Sequence, residues 1–558
     1  MYPKKELAQI VISACHQFKI DTVVVSPGSR NAPLTVGFSN HPEIETLSVV
    51  DERCAAFFAL GIAQQTQKPV GIVCTSGSAL LNYYPAIAEA FYSNIPLVVI
   101  SADRPKHLID IGDGQTIRQE NVFENHILFS ANLEDVSTSA VENSKLKTQN
   151  LKLLSEALQI ATLQKGPVHI NVPFDEPLYE TVSELKRFQF PNVISSKTKQ
   201  FVDYKNLASI WNTSTKKMIL VGVNYPDAAL HKLMDVYAGD VSVLILTETT
   251  SNLHQENSIN SIDQLIFSLD ENQFKDLQPE VLITFGGMIV SKKIKQFLRK
   301  YPPKHHWNID EKKAMNTFFC LAEFIQIKPV DFFSNFKMSI AAKESNYQQK
   351  WLQIRDDKRV KHQEYLSKVA HSDFKVFEQI IKSVPAKSQL QISNSSIIRY
   401  AQLFSIDKSN NVFCNRGTSG IDGSTSTAIG AAFAYKNQTV FITGDISFFY
   451  DSNALWNANI PTNFRIILIN NSGGGIFKII PGPGTTNASK YFETPHTLTA
   501  EHLCKMYAFE YLKADTTETV TSQLNGFYEK SEKPKILEIF TPSEENDLIL
   551  KAYFKYIQ

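Results

Sequence analysis

The chain has 558 residues, 43% of them apolar, and its 56 Lys+Arg cancel its 56 Asp+Glu. At roughly 150 residues per domain this length holds three or four domains, its apolar share excludes wholesale disorder, and its neutral balance gives no general pull toward nucleic acid or an anionic membrane. No apolar run reaches the roughly 18 residues that span a bilayer, and the six cysteines include no C-x-x-C pair, so neither a disulfide framework nor a zinc ribbon is indicated.

In the opening segment, MYPKKELAQIVISACHQF, the residues Gln9, His16 and Gln17 break the apolar run. It predicts an amphipathic helix, not a signal peptide, and with it a cytoplasmic protein. Short β-branched runs follow at 22–26, 70–74, 96–101 and 168–172, then at 218–222, 241–246, 281–285, 439–444, 465–470 and 535–540. They are nearly all apolar without clean alternation, the mark of strands covered on both faces in a parallel sheet. Helical segments such as 51–66 and 78–93 lie between them, so repeated β-α units are expected. Two polar stretches lack strand signals: 183–215 reads as a linker, and 338–372 as a linker ending in a charged helix. They divide the chain into 1–182, 195–340 and 370–558, three consecutive doubly wound parallel-sheet α/β domains.

Two glycine turns carry the chemistry. Gly444-Asp445-Ile446-Ser447 follows the strand at 439–443, and about 25 residues on, the strand at 465–469 runs into Asn470-Asn471-Ser472-Gly473. Open α/β sheets bind ligands at the carboxyl ends of their strands. A carboxylate, an amide oxygen and a backbone carbonyl are hard ligands suited to Mg²⁺, and glycines let backbone N–H groups approach a diphosphate. Either turn alone reads as an ordinary loop; the pair, each after a strand, favours a site. His305-His306 reads as a loop or strand-edge pair. No H-E-x-x-H or G-x-S-x-G is present, and the middle third has no G-x-G-x-x-G after its strands.

The GD…NN pattern resembles the thiamine-diphosphate signature of the decarboxylase and transketolase superfamily, with Ile446 where that signature usually has Gly. The order Ser26-Pro27-Gly28-Ser29-Arg30, Asp51-Glu52-Arg53, Ala102-Asp103-Arg104-Pro105, Asn415-Arg416-Gly417 and GD-x-S-x-x-YD at 444–451 resembles one branch of it. That branch decarboxylates 2-oxoglutarate and adds the remainder to isochorismate in menaquinone biosynthesis. The resemblance implies pyrimidine-binding, central and diphosphate-binding domains, with thiamine diphosphate and Mg²⁺ (or Mn²⁺) as cofactors. Asp445, Asn471 and the Gly473 carbonyl would hold the metal. Gly444, Ser447, Phe448 and Ser395 would contact the cofactor, and Ile421 would lie under the thiazolium.

Glu52 matches the carboxylate that hydrogen-bonds N1′ of the aminopyrimidine; without the motif it reads as a helix N-terminal acid stabilised by the macrodipole. The family's arrangement is a homodimer or dimer of dimers, with Glu52 of one subunit reaching cofactor held by the other. Both substrates are dicarboxylates, and the implied anion partners are Arg30, Arg104, Arg399 and Arg416, aided by Ser29 and Gln115. Lys292 and Lys293 match a basic pair near the acceptor, although a lysine-rich helix face explains them equally. Any single arginine reads as a solvated surface residue. Two alternatives stay open: another thiamine enzyme, such as an acetohydroxyacid synthase or a simple 2-oxoacid decarboxylase, and a non-catalytic relative that only binds thiamine diphosphate.

Overall fold

The computed structural model describes residues 1–135, 140–193, 201–480 and 482–558. Three parallel six-stranded sheets follow one another along the chain. In the N-terminal sheet the spatial order is Glu45–Ser48, Thr22–Val25, Val70–Cys74, Leu97–Asp103, Val168–Pro173, Ser130–Asn132. The C-terminal sheet repeats that order with Asn411–Phe413, Gln389–Ile392, Thr439–Gly444, Phe464–Asn470, Lys535–Phe540 and Glu510–Ala514. The middle sheet differs: Ser258–Ile259, Val243–Leu246, Lys217–Val221, Val281–Phe285, His305–Ile309, Glu323–Ile325.

Every one of the ten apolar runs is a strand of these sheets, and the packing explains why they do not alternate. Val23 and Val25 enter one core while Val24 enters the other, and Val98 and Ile100 oppose Leu97 and Val99 in the same way. Met218 and Leu220 face one core of the middle sheet, Ile219 and Val221 the other. Two covered faces demand apolar residues at both parities.

The N- and C-terminal sheets share a core. Helix Glu52–Thr66 lies along helix Ser424–Ala434, and Phe58, Leu60, Ala428 and Phe441 belong to one buried cluster. Glycines permit the crossing: a Cβ on Gly61 would sit 2.1 Å from the Thr427 carbonyl oxygen, and one on Gly430 would sit 1.9 Å from that of Phe58.

Three readings of the sequence are refined. The helix expected at 78–93 is two, Ser78–Asn82 and Tyr84–Ser93, because Pro85 has no N–H to continue the first and suits the opening turn of the second. His305-His306 is neither a loop nor a sheet edge; it opens an interior strand, where His306 is fully buried and its Nε2 lies 2.8 Å from Thr284 Oγ1. The second half of the polar stretch 183–215 forms helix Tyr204–Thr213, capped by Asp203, and its Trp211 is buried under the middle sheet. The charged helix at 338–372 is Tyr347–Leu366. Its Gln348 donates to the Ala238 and Val243 carbonyls at 2.8 and 2.7 Å, and its His362 meets Tyr553 of the last helix at 2.7 Å, so it ties the middle sheet to the C-terminal one.

Among the described residues no helix is long and apolar enough to cross a membrane.

Candidate active site

At the carboxyl end of the C-terminal sheet the two glycine turns meet. Asp445 opens helix Asp445–Tyr450; its Oδ1 accepts the Ile446 N–H at 2.7 Å and its Oδ2 the Gly473 N–H at 2.9 Å. Gly473 has φ +154° and a Cβ there would lie 2.7 Å from the Glu493 carbonyl oxygen, so no other residue fits. Asn471 donates its Nδ2 to Asp373 at 2.9 Å, which leaves Oδ1 as the amide's ligating atom. Asp373 is fully buried, and burial pushes its carboxyl up to about 6 against the bonds from Thr541 and Asn471. One carboxylate, one amide oxygen and one carbonyl suit Mg²⁺, which keeps its other positions for water and phosphate. Among the described residues no group of three or more His, Cys, Asp or Glu could hold a metal. His496, which sequence reasoning missed, has Nε2 3.3 Å from Asp445 Oδ2.

The neighbouring loops hold strained serines. Ser395, Ser419 and Ser472 have φ of 70°, 63° and 63°, a conformation that costs energy outside glycine and clusters at functional sites. Ser447 Oγ donates to the Ile421 carbonyl at 3.2 Å, which joins the Asp445 helix to the Ile421 loop. Gly444 is the last residue of its strand. Phe448 is fully buried in the core between the N- and C-terminal sheets, so its ring faces that core.

A cationic group lies beside these turns. Arg416 is buried; its Nη1 donates to Asn394 Oδ1 at 2.8 Å, and its Nε is buried without a partner. Arg399 donates to the Ser395 carbonyl, and burial together with the Arg416 charge holds its pKa down. A buried guanidinium beside a half-buried one suits an anion. Lys292, exposed, is the first residue of helix Lys292–Lys300, and Lys293 lies over the Phe267 ring at 4.2 Å. Lys295, not singled out in the sequence, is the lysine whose pKa is lowered by burial and by Arg416. Its spacing of three from Lys292 puts both on one helix face, the signal that was available.

A second group sits at the carboxyl end of the N-terminal sheet. Glu52 is the first residue of its helix, and its Oε2 accepts from Asn82 Nδ2 at 3.3 Å. Ser29 is exposed; Arg30 is buried, with Nη1 on the Phe174 carbonyl at 3.0 Å and Nη2 3.3 Å from Glu176. Arg104 pairs with Asp113 at 3.0 Å and keeps a buried, unpartnered Nε. Gln115 donates to the Ser76 carbonyl at 2.7 Å. Among the described residues no hydrogen bond or ion pair joins Glu52, Ser29, Arg30, Arg104 or Gln115 to Asp445, Asn471, Gly473, Arg399 or Arg416. The candidate residues therefore fall into two groups, two candidate half-sites, each at a sheet's carboxyl end.

The three sheets and the loops at their carboxyl ends fit a thiamine pyrophosphate enzyme. The family models agree: residues 5–128 match the thiamine pyrophosphate enzyme N-terminal TPP binding domain, 186–392 the middle domain, and 394–539 the C-terminal TPP binding domain. Within that class, 2-succinyl-5-enolpyruvyl-6-hydroxy-3-cyclohexene-1-carboxylate synthases are similar along the whole chain. The one from Flavobacterium johnsoniae is 58% identical over 562 residues, covering 100% of this chain and 99% of the relative. The Flavobacterium psychrophilum protein is 54% identical over 556 residues, with 100% and 99% covered, and the Porphyromonas gingivalis protein 36% over 578, with 100% and 98%. The chain belongs to the 2-succinyl-5-enolpyruvyl-6-hydroxy-3-cyclohexene-1-carboxylate synthase family.

Proposed function

We propose that the chain decarboxylates 2-oxoglutarate and joins the remaining four-carbon unit to isochorismate by 1,4-addition. The products are 2-succinyl-5-enolpyruvyl-6-hydroxy-3-cyclohexene-1-carboxylate and CO₂, a step of menaquinone biosynthesis. The observation that carries this reading is the 58% identity to a synthase of that name across 100% of the chain. A match confined to one sheet would leave the substrate open, whereas this one spans both half-sites.

Bound thiamine diphosphate supplies a nucleophilic carbon and the electron sink that loss of CO₂ requires. The protein's own groups do the rest. The Asp445 carboxylate, the Asn471 Oδ1 and the Gly473 carbonyl hold Mg²⁺ or Mn²⁺. Glu52 holds a proton at N1′ of the aminopyrimidine. Ile421 supports the thiazolium, and Gly444, Ser447, Ser395 and the Phe448 backbone border the cofactor. Arg399 and Arg416 from one half-site, and Arg30 and Arg104 with Ser29 and Gln115 from the other, fix the substrate carboxylates. Lys292 adds a cation at the acceptor's end. With the base and the metal ligands in separate half-sites, the working form is a dimer or a dimer of dimers. In it, the N-terminal half-site of one subunit faces the C-terminal half-site of its partner.

The test is a paired assay with thiamine diphosphate and Mg²⁺ that follows loss of 2-oxoglutarate with and without isochorismate, with Glu52→Gln as control. Isochorismate-dependent turnover that collapses in the variant is expected. Decarboxylation indifferent to isochorismate would replace the acceptor assigned here, and cofactor binding without turnover would favour a non-catalytic binder.

A further inference from the structure

Glu52 has little of its own to hold it. Among the described residues its carboxylate has a single side-chain hydrogen bond, to Asn82 at 3.3 Å, and Asn82 is exposed. Where the carboxylate points is therefore set by the first turn of helix Glu52–Thr66. That turn is gripped by a segment of the C-terminal sheet's domain, Tyr450–Asn453, nearly four hundred positions along the same chain (|i−j| = 397). Asn453 Nδ2 donates to Asp51 Oδ2 at 2.9 Å, while Asp51 Oδ1 caps the helix on the Cys54 N–H at 3.0 Å. Arg53 Nη2 donates to the Tyr450 carbonyl at 3.0 Å, and its guanidinium lies over the Tyr450 ring at 5.1 Å. Cys54 Sγ donates to Asp451 Oδ1 at 3.6 Å, and Arg53 Nη2 lies 3.8 Å from the same oxygen.

The residue on each side of Glu52, and the one after, are thus held from outside their own domain. Asp451 is the centre of the grip. It is fully buried, and it is anchored in turn by the Ser426 N–H at 2.7 Å and the Ser426 hydroxyl at 2.9 Å. A carboxylate this buried is costly unless its bonds are fully used, and all of those bonds run to the first turn of the Glu52 helix or to the helix packed against it. Among the described residues no hydrogen bond or ion pair joins the side chains of the Tyr-Asp that closes the GD-x-S-x-x-YD motif to a proposed metal ligand or candidate substrate residue.

We infer that Asp451, with Tyr450 and Asn453, is a positioning residue for Glu52: it fixes the phase of the helix turn that aims the Glu52 carboxylate. This rests on Glu52 acting at N1′ as proposed above. A group displaced by an ångström or so can lose much of its effect without any loss of folding.

The experiment is hydrogen–deuterium exchange at C2 of thiamine diphosphate bound to the Mg²⁺ holoenzyme, with no 2-oxo acid present. It is read for wild type, Asp451→Asn, Glu52→Gln and the double variant, alongside cofactor affinity and the unfolding midpoint of the cofactor-free protein. Asp451→Asn is expected to slow exchange at least about tenfold at unchanged cofactor affinity. In the Glu52→Gln background it is expected to slow exchange no further, because its effect passes through Glu52. Asn453→Ala, at an exposed position, removes one arm of the grip without opening the core; a several-fold slowing there supports the inference if Asp451→Asn folds poorly. Exchange at the wild-type rate in both Asp451→Asn and Asn453→Ala would overturn it, as would an equal further loss in the Glu52→Gln background. Wild-type exchange in Glu52→Gln itself would instead remove the role of Glu52, and the inference with it.

Discussion

The Asp445 carboxylate accepts the Gly473 backbone N–H at 2.9 Å, closing together two turns 28 residues apart. The contact brings a carboxylate and a strand-end loop together where the proposed cation would sit. It depends on a backbone at φ +154° with no room for a Cβ, since Glu493 O lies 2.7 Å from where one would stand. Gly473→Ala is therefore expected to raise the dissociation constant of thiamine diphosphate in the presence of Mg²⁺ by about tenfold or more, measured by calorimetric titration. An unchanged constant would remove the Gly473 carbonyl from the metal's ligands.

The crossing of helices Glu52–Thr66 and Ser424–Ala434 predicts a stability effect. The atoms that a methyl group at Gly61 or Gly430 would strike are backbone carbonyl oxygens, at 2.1 and 1.9 Å, and these cannot swing aside as a side chain can. Gly61→Ala and Gly430→Ala should each destabilise by about 1–3 kcal/mol or more, seen as a lower unfolding midpoint. The double variant should cost less than the sum, because one separation of the helices relieves both clashes.

Asp451 gives a pH dependence with a definite sign. Burial pushes its carboxyl up to about 7 from 3.8, opposed by the Ser426 bonds and by Arg53 and Cys54; the Cys54 thiol is the other titratable group against it. The folded state binds the proton more tightly than the unfolded chain. The stability this contributes is full below pH 3.8 and is lost as pH rises toward about 7. The unfolding midpoint of the wild type is expected to fall relative to that of Asp451→Asn as pH is raised across this window. Parallel midpoints would mean that the carboxyl ionises normally in place.

Much of this was legible in the sequence, for identifiable reasons. Strands buried on both faces announce themselves as unbroken apolar runs, so Val23–Val25 or Ile466–Ile469 could be read directly. The strand Glu45–Ser48 is exposed or half-buried at three of its four positions and looks like a loop. The strand Gln389–Ile392 buries two glutamines, and no apolar pattern marks it. The Asp445 and Asn471 turns stood out because hard-oxygen ligands at two strand ends allow few residue types, whereas Glu52 was marked only by the resemblance of Asp51-Glu52-Arg53 to the family's motif. His496 and Asp373 act through contacts between distant segments, and no local spacing records those; Lys295 stands three positions from Lys292 and Asp451 closes the GD-x-S-x-x-YD run, but their partners Arg416 and Cys54 lie far off in sequence. Glu89 is the clearest example. It is buried in helix Tyr84–Ser93, and its carboxylate accepts the Gly417 and Thr418 N–H groups at 2.7 and 2.6 Å, fixing the loop next to Arg416 across 328 positions of sequence.

The pair Arg399 and Arg416 separates substrate binding from stability. Burial and the Arg416 charge beside it disfavour the Arg399 charge in the absence of an anion. Arg416→Gln should raise the KM for the dicarboxylate substrate about tenfold or more while leaving thiamine diphosphate affinity unchanged. Arg416→Lys should recover part of the loss, since it keeps the charge without the fork. The unfolding midpoint of the substrate-free glutamine variant should not fall, because the lost Asn394 bond is offset by relief of Arg399. A fall in midpoint with an unchanged KM would make Arg416 a structural residue.

The separation of the half-sites predicts complementation between inactive chains. Glu52→Gln spoils the N-terminal half-site and Asp445→Asn the C-terminal one, and each homodimer should be inactive. In a mixed dimer, the intact Glu52 of one chain meets the intact Asp445 of the other at one centre, while the second centre carries both defects. Unfolding and refolding the two variants together at equal amounts should make half the dimers mixed, each with one good centre, and so restore about a quarter of wild-type activity. Centres built within single chains would give no recovery at any mixing ratio, because every chain would still lack either its base or its metal carboxylate.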